Sequence, residues 1–133
     1  MLGQLARTDR TVVADFEAGL GTVLRMDAPV DVVVVVVEPT AKSLDVGQRA
    51  ADSVTASGYG RIVVVANRVR DDADAERVRA AFPDAQVFLV PDEPAVVAAE
   101  RQGVAPLDAA PESPGVRALI ELGDHLVSGG SAS

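Results

Sequence analysis

Asp31-Val32-Val33-Val34-Val35-Val36-Val37-Glu38-Pro39-Thr40 sets six consecutive valines between acidic residues and closes the run with a proline. β-Branched side chains pack well on a pleated backbone and are stiff in a helix. The run has the length of an ordinary strand and is far short of the roughly 20 residues needed to cross a bilayer. With valine at every position neither face is polar. The stretch therefore predicts a strand covered on both sides, as in the centre of a parallel sheet.

Working outward, β-branched runs alternate with helical spacing. Thr11 to Asp15 predicts a strand before the valine run, and Arg61 to Ala66 and Gln86 to Val90 predict two after it. Ser43 to Ser57 places Leu44, Gly47, Ala51 and Val54 on one helical face, with Ser43 as N-cap and Gly58 as the stop. Asp72 to Phe82 repeats the spacing with Ala75, Val78 and Phe82, and Pro83 ends it. Glu93 to Gln102, closed by Gly103, and Pro114 to Val127, preceded by Ser113, complete the helices. The alternation predicts an α/β fold, a Rossmann-like three-layer sandwich with a mostly parallel sheet of about four strands. Residues 1–127 form one domain in this reading. Val104 to Ser113 is a linker and Ser128 to Ser133 a flexible tail.

Composition narrows the function classes. The chain has 133 residues, 48% hydrophobic and 24% charged, enough for one packed core. Twelve basic residues against twenty acidic give a net charge of -8, which opposes counterion-release binding to nucleic acid and attraction to anionic membrane. With no cysteine there is no disulfide framework and no thiolate metal site. The N-terminus lacks the basic and apolar regions of a signal peptide, so a cytoplasmic protein is expected.

In open α/β sheets ligands sit beyond the carboxyl ends of the strands. Polar residues follow each predicted strand: Asp15, Glu17 and Gly19; Glu38, Pro39 and Thr40; Asn67 and Arg68; Pro91, Asp92, Glu93 and Pro94. Each has a plain structural reading as well. Asp15 is a residue type that caps helices, Gly19 and Asn67 suit turns, and Glu38 suits a solvated loop. The acids Asp71, Asp72, Asp74 and Glu76 suit the start of a helix better than a metal site. His125, the only histidine, falls near the end of the last predicted helix, where a partial positive charge is favourable.

Taken together, Val-Ala-Asp-Phe-Glu-Ala-Gly at 13–19, Val-Val-Val-Glu-Pro-Thr-Ala-Lys-Ser-Leu at 35–44, Val-Val-Ala-Asn-Arg-Val at 64–69 and Val-Pro-Asp-Glu-Pro at 90–94 resemble the C-terminal half of MinD/ParA-type P-loop ATPases. The resemblance is closest to the CooC-like branch, associated with nickel insertion into carbon monoxide dehydrogenase, and spans Leu2 to Val127. It implies that Asp15 holds magnesium, usually through water, and that Gly19 offers its backbone amide to the γ-phosphate of ATP. It further implies that Asn67, with Arg68 beside it, reads the adenine edge and that the segment Pro91 to Pro94, with Asp92 and Glu93, walls the base. Arg68 stands where the related motif has lysine, and Glu17 where the wider ParA group commonly has proline.

The glycine-rich, lysine-bearing phosphate loop of that family has no counterpart in the sequence, and the only lysine, Lys42, follows Ala41. That loop supplies most phosphate contacts in such ATPases, so the chain alone is not expected to hydrolyse ATP. The family's P-loop strand would lie between Thr11–Asp15 and the valine run. Its absence predicts that these two strands pair directly or that a second chain closes the gap. Two functions follow. One is a partial ATP-binding domain that works with a P-loop-bearing partner or as a homo-oligomer. The other is a non-catalytic Rossmann-like interaction module or dimer that binds no nucleotide. A flavodoxin-like binder is disfavoured because few aromatics are available to stack a flavin.

Overall fold

A computed structural model describes residues 11–15, 30–58 and 60–129. Their elements, in order, are β1 (Val32–Val37), α1 (Ala41–Ser57), β2 (Arg61–Val69), α2 (Asp72–Ala81), β3 (Gln86–Pro91), α3 (Pro94–Gln102), α4 (Pro106–Ala109) and α5 (Pro114–Gly129). The strands form one parallel sheet in the order β1-β2-β3, Val32 facing Arg61 through Val37 facing Ala66, and Val63 facing Gln86 through Ala66 facing Leu89. Two crossovers in one direction put α1 and α2 on the same face. There Leu44, Val78 and Phe82 cover Val35, Val37, Val64 and Ala66. On the other face Leu122 of α5 packs on Val63, Val65 and Val90. This is the expected α/β sandwich with a parallel sheet.

Three features of the sheet differ from expectation. Thr11 to Asp15 is not a strand; its residues are exposed and unpaired, and the sheet has three strands among the described residues instead of about four. A strand exists only through its ladder, and among the described residues this segment has no ladder partner. The direct pairing of Thr11–Asp15 with the valine run is accordingly absent among the described residues. The valine run is an edge strand of the described sheet, and β2 is central. Val63 and Val64 have no exposed surface, whereas Val34 and Val36 of β1 are 37% and 62% exposed.

The helices follow their signals closely. Thr40, not Ser43, caps α1: its side chain accepts from the Ser43 amide, while Ser43 Oγ accepts from the Glu38 amide at 2.9 Å. The helix therefore begins two residues earlier than the sequence signal placed it. Gly58 and Gly103 end α1 and α3 in the left-handed region, at φ 66° and 69°, as glycine allows without strain. Gly47 lets α1 lie close on the sheet, because a Cβ there would collide with Val37 Cγ1. Within the expected linker, Pro106 starts the single turn of α4. The last helix runs two residues past Val127, and residues 130–133 lie outside the described ones. Among the described residues no helix is long and apolar enough to cross a membrane.

Candidate functional site

The carboxyl ends of the three strands converge, and an irregularity in β2 shapes them. The sequence signal ended β2 at Ala66, but the strand continues through Asn67 and Arg68 to Val69. Between the pairs Ala66/Leu89 and Val69/Pro91, β2 advances three residues while β3 advances two. That extra residue is a bulge. Arg68 sits in it with φ 60°, the left-handed region that a non-glycine residue adopts only at a cost.

The bulge aims Arg68 across the strand ends. Its Nη1 lies 3.2 Å from Glu38 Oε1, after β1, and its Nε lies 3.6 Å from Asp92 Oδ1, after β3. All three side chains are largely exposed, so these pairs contribute little to stability and orient the groups instead. Asn67 is half-buried, and its carboxamide makes no hydrogen bond to another described residue. Its N–H donors and carbonyl acceptor are thus left unused by the described residues.

The surrounding loops are held from below. Asp71 caps α2 through the Asp74 amide at 2.8 Å. Asp74, 3% exposed, accepts from the Arg70 amide and Arg70 Nε, each at 3.1 Å, and from Arg77 Nη1 at 3.5 Å. Arg77 Nη1 also donates to the Pro39 carbonyl at 3.1 Å, tying the turn after β1 to α2. Hydrogen bonds from the Arg70 side chain and then its amide hold the Asp74 carboxyl below the ordinary range, and the same contact raises Arg70. Asp71, Asp72 and Asp74 thus act as a helix start, and Glu76 pairs with Arg79.

Glu93 caps two helices at once. Its Oε1 accepts from the Ala95 amide of α3 and its Oε2 from the Gly115 amide of α5, each at 3.3 Å. A Cβ on Gly115 would stand 2.7 Å from Glu93 Cβ, so glycine permits this approach. The sequence places Glu93 at the start of a helix; that it caps this helix and also α5, through Gly115 22 residues away, was not legible. At the other end of α5, His125 Nε2 meets Gln86 Oε1 at 3.1 Å and its ring lies against Phe88.

Arg68 and Asp92 are therefore brought together at the strand ends, with Pro91 paired to Val69 beside them; Asn67 precedes Arg68 in β2, and no hydrogen bond among the described residues joins its side chain to the others. Asp15 is not joined to them by any hydrogen bond or ion pair among the described residues, and Gly19 lies outside those residues. Among the described residues no three carboxylates or histidines are grouped to hold a metal ion.

The backbone arrangement matches solved structures. It has a MinD-like fold. The Pyrococcus furiosus cell division ATPase MinD aligns with a TM-score of 0.58 and 18% identity over 74% of this chain and 43% of that one. A MinD cell division protein from Aquifex aeolicus aligns with a TM-score of 0.62 and 20% identity over 74% and 44%. The chain thus spans less than half the length of these proteins. No family model matches the sequence, and no curated protein matches it.

Proposed function

We propose that the chain is a nucleotide-binding domain of the MinD type that recognises the adenine of ATP at the carboxyl ends of β2 and β3. The observation that carries this reading is the β2 bulge. It turns Arg68, next in sequence to Asn67, across the strand ends toward Glu38 and Asp92, and the carboxyl ends of the strands are where an open α/β sheet takes its ligand. In this reading the chain lacks the phosphate cradle and is not hydrolytic alone; a P-loop-bearing partner or a second copy completes the site, with Asp15 serving magnesium in that assembly. Affiliation with the CooC-like branch, a truncated P-loop fold and a cytoplasmic location belong to the same proposal.

A second reading, an interaction module without nucleotide, is favoured by the exposed Val34 and Val36 of β1, the edge strand among the described residues. Calorimetry separates the two. Adenosine and MgATP should release heat on binding to the chain, and Asn67→Ala should abolish the adenosine signal while leaving the thermal melt in place. No heat from the chain, alone or mixed with a P-loop-bearing protein, would overturn the nucleotide reading in favour of the interaction module.

A further inference from the structure

Pro94, Val97, Ala98 and Arg101 recur at i, i+3, i+4 and i+7 and share one face of α3. With Arg68 and Asp92 they line a cleft of about 350 Å³ at the side of the strand ends. The lining combines apolar residues, among them the substantially exposed Val97, with two arginines and one aspartate. Arg101 has no ion pair or hydrogen bond among the described residues. A cation in the last turn of a helix complements the helix dipole, which explains the charge but not its place on the face shared with Arg68.

In a chain of net charge -8, this is a local concentration of the residue type best suited to phosphate, since the planar guanidinium fork matches the oxygens of that anion. Arg68 is held only by exposed carboxylates, Glu38 at 3.2 Å and Asp92 at 3.6 Å, pairs weak enough for a multivalent anion to displace. We infer that this cleft is an anion subsite in which Arg101 and Arg68 together grip a phosphate or diphosphate group. The less polar part of the same ligand lies over Pro94, Val97 and Ala98. Asp92 is then a competitor for Arg68 that the anion must replace. The inference goes beyond the proposed nucleotide reading, because it stands on the cleft and not on adenine recognition.

The test is calorimetry of the full chain at low salt with three probes: pyrophosphate, ADP and adenosine. Pyrophosphate and ADP should bind, and Arg101→Ala should weaken both by about tenfold, the loss of one charge-assisted contact. Asp92→Asn should strengthen both, because it releases Arg68 and removes a like charge. Adenosine should bind the wild type and Arg101→Ala equally. Thermal melting of Arg101→Ala should match the wild type, since the side chain is exposed and unpaired. Pyrophosphate that does not bind, or that binds Arg101→Ala as well as the wild type, overturns the subsite. Arg101-dependent pyrophosphate binding with no adenosine heat supports the subsite and overturns adenine recognition, so the two failures are distinct.

Discussion

The two faces of β1 are made of the same residue and have opposite fates. Val35 and Val37 point under α1 and are 8% and 2% exposed; Val34 and Val36 point to the other face and are 37% and 62% exposed. The difference lies in the helices, not the strand. Leu44, Gly47, Val78 and Phe82 bring α1 and α2 down over the first face, with Gly47 removing the side chain that would hold α1 off Val37. On the second face α5 lies over β3 and the adjoining part of β2 and leaves the outer valines uncovered. A valine run reports that a strand can be buried on both sides; it does not report whether helices arrive to bury it.

The contrast can be broken directly. Val37→Asp places an unpaired carboxylate in the packed face and should destabilise by several kcal/mol, read as collapse of the urea midpoint. Acid should attack that same packed side more gradually, through Asp74. Its folded pKa is depressed below the unfolded carboxylate value of about 3.9, so its contribution is complete above that value. The contribution is lost as pH falls through the depressed folded pKa. Asp74→Asn should flatten that part of the stability-against-pH curve in urea melts taken at successive pH values. On the other side, Gly115→Ala should push Glu93 from its two caps and loosen α5, costing about 1 kcal/mol in thermal melts. The smallest effect is expected from Val36→Asp, within about 0.5 kcal/mol of wild type. A loss there comparable to Val37→Asp would show that the second face is covered after all.

Much of the candidate site was readable before any coordinates. Arg68, Asp92 and Glu93 follow β-branched runs, and the carboxyl ends of parallel strands are where such residues meet. The bulge was not readable, because a one-residue mismatch between strands is a property of their pairing and appears in neither strand alone. For the same reason Glu93, in sequence only the first residue of a predicted helix, proves to cap two helices. Thr11 to Asp15 shows the reverse error. Its β-branched run is strand-like, yet a strand needs a neighbour and this segment has none among the described residues.

Local chemistry was enough to determine the alternation of strands and helices, the glycine stops at Gly58 and Gly103, the acidic start of α2 and the polar residues after each strand. These are decided by contacts within a few residues, which spacing and side-chain type already contain. Pairing decided the rest: that β2 is the middle of the described sheet, that the valine run is its edge, and that Arg68 turns outward to span Glu38 and Asp92. Those outcomes depend on which residues far apart in the chain come to lie side by side, and only the folded backbone sets that.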